Sequence, residues 1–171
     1  MTELTIVPEC YVDTKVAEIV GQASRKYNHQ HGCGDVARQL KNKLSNQISL
    51  GIIDEDKDKG TEAKYFSEFG SIIKENNLIL KKHRQRKQYL ILVCPEIEDW
   101  LKENADMVSV NPEDFNLPLD MKGFKRITKT QNIDNNIDFH RFIKELLKKE
   151  APGLTTLRKW ITMFKNDELA S

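Results

Sequence analysis

Long apolar runs, an excess of charge of either sign, and cysteine are what this chain has least of. Its longest apolar stretches, such as residues 89–94, fall far short of the ~20 residues that a membrane helix needs, so no membrane association is expected. Twenty-seven Lys and Arg stand against 26 Asp and Glu, a formal charge of +1. So even a balance excludes a global attraction to nucleic acid or anionic lipid; any such attraction must come from local patches. Three cysteines, Cys10, Cys33 and Cys94, are an odd and small number, which argues against a disulfide framework and for reduced thiols. The start, Met1-Thr2-Glu3, has neither a basic flank nor an apolar stretch. No secretory leader is expected there, and the cytoplasm is the expected location. No Walker motif, internal repeat or low-complexity tract occurs, so the chain is not expected to hydrolyse ATP through a P-loop.

What is present suits a packed domain. The chain has 171 residues, 39% apolar and 31% charged, enough for one sizeable core under a well-solvated surface. Residues 4–7 read as a first strand turning at Pro8-Glu9, and Val12, Val16, Ile19, Val20 and Ala23 then recur at helical spacing, with Asp13 placed to cap the first turn. Residues 27–34 hold two glycines and two histidines and suggest a short strand and a turn. Asp35 is placed to cap a second helix with the apolar face Val36, Leu40 and Leu44. Residues 48–53 form a buried strand that stops abruptly at Asp54-Glu55-Asp56. Ile72 and Ile73 suggest a helical turn before Leu78-Ile79-Leu80, and residues 89–93 are the clearest strand. Ile97, Trp100, Leu101 and Ala105 mark a third amphipathic helix, with Glu96, Glu98 and Asp99 in the first turn, where the macrodipole favours anions.

This alternation predicts an α/β fold with a mostly parallel central sheet and flanking helices. Residues 1–110 are assigned to that α/β domain. Residues 111–136, polar and poorly periodic, read as an extended loop or linker. Residues 137–171 carry two helices, with Phe139, Phe142, Ile143, Leu146 and Leu147 on the first and Leu154, Leu157, Trp160, Ile161 and Phe164 on the second. These helices are expected to pack on the same domain.

Functional groups of open parallel sheets gather beyond the carboxyl ends of the strands. Glu9 ends the first strand, and Asp54 and Asp56 end the third and share a face of an extended segment. If the strands are neighbours, three hard carboxylates meet in one crevice, a donor set suited to Mg²⁺ or Mn²⁺. The competing reading is a solvated acidic turn over residues 54–60. A calcium-binding EF-hand is excluded, because its sixth and twelfth positions would be Lys59 and Tyr65 instead of Gly and Glu. His29, His31 and Cys33 match no standard zinc spacing. The dense basic run holds Lys81, Lys82, Arg84, Arg86 and Lys87. It reads either as a solvated connection or as a phosphate-contacting loop.

A strand ending Ile6-Val7-Pro8-Glu9, then Asp13 opening a helix, then Gly51-Ile52-Ile53-Asp54-Glu55-Asp56 ending a later strand resembles the Toprim domain of topoisomerases, bacterial primases and overcoming-lysogenization-defect nucleases. Pro95-Glu96-Ile97-Glu98-Asp99-Trp100-Leu101 is similar to a stretch of small stand-alone Toprim-like proteins. The resemblance covers roughly residues 3–105. It implies Mg²⁺ (or Mn²⁺) coordinated by Asp54 and Asp56, acid–base and metal roles for Glu9, and a ligand role for Asp13. It further implies metal-dependent, nuclease-like phosphodiester chemistry on DNA or RNA, or a non-catalytic module working with a partner protein. One departure stands out: the family places Gly after the Glu, and this chain has Cys10, whose side chain occupies space that Gly leaves open.

Overall fold

A computed structural model describes residues 3–55 and 60–169, so Asp56, named above as a ligand, lies outside the described residues. A five-stranded mixed sheet has the order β1-β2-β5-β4-β3. Its strands are β1 (Ile6–Pro8), β2 (Ser49–Asp54), β3 (Phe69–Glu75), β4 (Leu78–His83) and β5 (Gln88–Val93). β1, β2 and β5 run parallel, whereas the hairpin β3–β4 joins antiparallel through β4. The sheet is therefore less parallel than the alternating pattern suggested.

The parallel strands are buried on both faces, and the two-residue period of a strand divides their side chains between two cores. Leu50, Ile52, Tyr89, Ile91 and Val93 point into the larger core, with α1 (Tyr11–Val20), α3 (Ile97–Met107), α5 (Ile137–Lys148) and α6 (Pro152–Lys165) over it. Ile53, Leu90 and Leu92 point into the smaller core, covered by α2 (Cys33–Arg38) and by Tyr65, Phe66 and Phe69. α5 and α6 both pack against α1, and α6 also reaches α3 and β4. Helices thus lie on both faces, and no helix of the described residues is long and apolar enough to cross a membrane.

Gly51 permits the close approach of α2 to the sheet. A Cβ there would lie 2.9 Å from Leu90 Cδ1 and 3.1 Å from Val36 Cγ1. Gly51→Ala is expected to destabilise the protein by about 1–3 kcal/mol, as overpacking of a tight core does. A urea titration checks this: the midpoint should fall at unchanged slope.

Three segments differ from the sequence reading, each for a local reason. Ile72 and Ile73 lie in strand β3, not in a helical turn. Asn76 and Asn77 both adopt positive φ (51° and 58°) and close a two-residue hairpin in which Glu75 pairs with Leu78. That turn, whose twist matches the strands it joins, overrides a short apolar pair. Residues 111–136 are no plain loop either. They contain α4 (Met121–Thr128), capped by Asp120, whose Oδ1 accepts from the Gly123 amide at 2.7 Å, and anchored by buried Phe124. Residues 27–30 form no strand, yet they lie along the outer edge of β1, with the Asn28 amide donating to the Ile6 carbonyl and the Gln30 amide to the Pro8 carbonyl. Two capping expectations also shift. Asp13 and Asp35 sit inside the first turns of α1 and α2, whose N-caps are Cys10 and Gly32.

Candidate functional site

β1, β2 and β5 are neighbours, and each hands an acid to the same end of the sheet. Glu9 follows β1, Asp54 closes β2, and Glu96 is the N-cap of α3, just beyond β5. The topology alone therefore converges three carboxylates, as the crevice at parallel strand ends provides.

Their hydrogen bonds then arrange them. Glu9 is buried, and its Oε2 accepts from the Asp54 amide at 2.8 Å, tying β1's end to β2's. Asp54 is buried as well, and its Oδ1 accepts from the Ile97 amide at 3.0 Å. That amide opens α3, so the positive end of the helix dipole faces the Asp54 carboxylate. Asp54, Glu96 and Glu98 each offer a carboxylate oxygen within 4.8 Å of the others, the one cluster of metal-ligand spacing found among the described residues. Opposite oxygens on a Mg²⁺ octahedron are about 4.2 Å apart, and on the larger Ca²⁺ shell about 4.8 Å. The trio lies within the span of such a shell, and all its donors are hard oxygens.

Helix α4 supplies counterweights to this negative charge. Thr128 Oγ1 donates to Glu98 Oε1 at 2.8 Å, and Lys125 Nζ donates to Glu96 Oε1. Burial works against charge at Glu96, but the hydrogen bonds from Lys125 and Asp99 outweigh it and hold its pKa below the ordinary value. Asp99 moves the opposite way, pushed up by burial and then by its hydrogen bond and charge repulsion with Glu96. Glu96, as acceptor and neighbour, also raises the pKa of Lys125. Beside the trio opens a cavity of about 220 Å³, whose lining includes Cys10, Tyr11 and Lys129.

The structure thus joins Glu9 and Asp54 directly. Asp13 is buried in the first turn of α1, where its carboxylate accepts from the Cys10 thiol. That contact turns the Cys10 side chain toward α1. Lys81, Lys82, Arg84, Arg86 and Lys87 sit elsewhere. Lys82 pairs with Tyr89 near the start of β5, whereas Asp54 pairs with Val93 at its end, so the basic run lies at the opposite end of the sheet. It is also partly engaged: Arg86 donates to the Lys41 carbonyl and the Tyr65 hydroxyl, and buried His83 accepts from the Gln85 and Arg86 amides. His29 and His31 pack edge to face at 4.8 Å, with His29 stacked on Tyr11 at 4.4 Å, without forming a metal-spaced cluster with Cys33.

Glu96 and Glu98 are the residues that sequence reasoning missed. They read there as helix-dipole acids of a first turn, although their position after a buried strand carried the same signal as Glu9 and Asp54. No family model, curated protein or solved structure matches this chain.

Lys125→Met gives a check on the charge balance. Without the ammonium, Glu96 and Glu98 lose a nearby cation, so the metal-free protein should melt earlier. Divalent affinity should rise, because the ion no longer competes with Lys125 for Glu96. A partly exposed ion pair is worth on the order of 1 kcal/mol, so the dissociation constant should fall roughly fivefold in a calorimetric titration.

Proposed function

We propose that this chain is a Toprim-like protein that performs Mg²⁺- or Mn²⁺-dependent phosphodiester chemistry on nucleic acid at the Asp54–Glu96–Glu98 cluster. The observation that carries the reading is the delivery of acids by three adjacent parallel strand ends, with Glu9 locked to the Asp54 amide. This is the crevice in which an open α/β sheet places its chemistry. The order of Glu9, Asp13 and Asp54 along the chain supports the Toprim-like assignment, and Asp56 is assigned as a further ligand.

Asp54, Glu96 and Glu98 would hold the cation. When bound, it supplies Lewis acidity toward a phosphoryl oxygen and a site for the attacking water. The chain's own residues position the rest. Glu9, through the Asp54 amide, fixes the backbone from which Asp54 projects, and in this reading it also handles the proton of the water. Lys129 lines the cavity and neutralises part of a bound phosphate's charge. Tyr11 walls the cavity on the α1 side.

A second reading has a specific observation behind it. Lys125 and Thr128 already engage Glu96 and Glu98, as in a module that keeps the fold and works through a partner protein without cleaving anything. A cleavage assay separates the two. Supercoiled plasmid, single-stranded DNA and RNA are incubated with protein and Mg²⁺ or Mn²⁺. Cleavage that Asp54→Asn and Glu96→Gln abolish supports the enzyme. Inactivity on every substrate with both metals supports the module.

A further inference from the structure

A second groove, about 520 Å³, lies on the α1–α5 side of the molecule. Its lining brings Lys15, Arg25, Lys26, His140 and Lys144 together against one carboxylate, Glu18. That carboxylate is spoken for: Glu18 accepts from the Tyr27 amide at 2.9 Å, and burial raises its pKa. Asp134, at the mouth, organises two of the cations, its side chain pairing with Lys26 and its carbonyl accepting from Lys15 Nζ, both at 3.0 Å. Lys26 remains 77% exposed in that pair, so an incoming anion can take it over. Across the groove, His140 and Lys144 stand one turn apart on α5. Burial, then the charges of Lys15 and Lys144, lower the pKa of His140, so both lysines act on it in the groove.

The groove is continuous in sequence terms with the carboxylate site. Tyr11, Lys15 and Glu18 recur at intervals of four and three residues, one stripe along α1, and Gln22 follows just past the helix end. The first of these lines the acidic cavity and the other three line the groove. One helical turn, about 6 Å, separates Tyr11 from Lys15. At that junction Tyr11 stacks on His29 with centroids 4.4 Å apart, and exposed His31 meets it edge-on at 6.0 Å.

We propose that this groove is the binding track for the phosphate backbone of a single-stranded nucleic acid, leading it along α1 to the carboxylate site, with Tyr11 and His31 as the base-stacking surface at the junction. A cationic groove joined to aromatic side chains is the pairing that single strands use, since unpaired bases stack while phosphates follow the charge. It also gives the near-neutral chain its local attraction, a role that the basic run at the far end of the sheet cannot play for this site. The proposal deepens the phosphodiester reading and rests on it for the identity of the anion.

The test measures binding apart from chemistry. A fluorescein-labelled oligonucleotide of about 16 nucleotides is titrated in EDTA and followed by anisotropy across a salt series. Wild type is expected to bind, with affinity falling as salt rises. Lys15→Gln with Lys144→Gln should weaken binding at least tenfold and reduce the salt slope by about 1.4, the loss of two single-strand phosphate contacts. Lys144→Glu, at an exposed position that does not threaten folding, should weaken it as well. Lys82→Gln with Lys87→Gln should leave it unchanged. Absence of wild-type binding, indifference to the groove substitutions, loss through the Lys82 and Lys87 pair instead, or equal displacement by polyglutamate would each overturn the proposal. Binding through the groove without any metal-dependent cleavage would then sink the phosphodiester chemistry and leave the track standing.

Discussion

Millimolar Mg²⁺ or Mn²⁺ is expected to raise the melting temperature of this protein by several degrees, and Asp54→Asn to remove most of that response. Asp54, Glu96 and Glu98 are held with oxygens within 4.8 Å, and two of the three are buried. Like charges so placed oppose one another, and burial raises the penalty. Only part of that repulsion is offset, by Lys125 at Glu96, by the Thr128 hydroxyl at Glu98 and by the α3 amide at Asp54. A cation that binds the folded form alone stabilises it by ~2.7 kcal/mol at a hundredfold excess over its dissociation constant. At ~2–4 °C per kcal/mol for a chain of this size, the shift is about 5–11 °C. Asp54→Asn keeps the shape and an acceptor for the Ile97 amide while removing one charge. It should therefore raise the metal-free melting temperature modestly as it blunts the metal response. Superimposable melting curves with and without metal, and an indifferent Asp54→Asn, would leave the cluster a static hydrogen-bonded network.

The part of this site that could be read from the sequence is the part that strands announce. Apolar runs ending in an acid located Glu9 and Asp54, because a buried parallel strand is continuous in sequence and its end is abrupt. Neighbouring of β1 and β2 could be expected from their alternation with helices. What sequence could not announce was that β5 inserts beside β2, since that placement depends on the β3–β4 hairpin folding outward. The hairpin in turn depends on two asparagines with positive φ. Once β5 lies beside β2, Glu96 and Glu98 reach Asp54 across a separation of over forty residues that no local pattern encodes. Helix α4 was hidden for a similar reason. Its eight residues hold only Phe124 and Thr128 as buried anchors, and its existence rests on the Asp120 cap and on tertiary docking against α3. Missing α4 meant missing Lys125, the cation already present at the carboxylate site.

Trp100→Ala is expected to be among the most damaging single substitutions in the molecule and to reach the site as well as the core. The indole is fully buried, and its Nε1 donates to the Asn76 carbonyl at 3.1 Å, pinning α3 to the turn of the β3–β4 hairpin. The Trp100 ring also lies against Gly153 at the start of α6, so close that a Cβ there would meet it at 2.7 Å. Truncation leaves a large cavity among three elements that collapse cannot fill together, a loss of about 3–5 kcal/mol. The melting temperature should fall by about 6–20 °C. The functional consequence follows from position. Trp100 sits one turn beyond Glu96, its amide donating to the Glu96 carbonyl at 3.0 Å, so it anchors the turn that aims Glu96 and Glu98 at Asp54. In the fraction that remains folded, divalent affinity should therefore drop, whereas Gly51→Ala, on the other face of the sheet, should lower stability with affinity unchanged. Trp100→Phe, which keeps most of the packing but loses the Asn76 bond, should fall between wild type and Trp100→Ala in both measurements. Thermal melts paired with calorimetric metal titrations check all three variants. Full cation affinity in Trp100→Ala would mean that the first turn of α3 is held by its own bonds to Asp54 and Thr128, without help from the core beneath it.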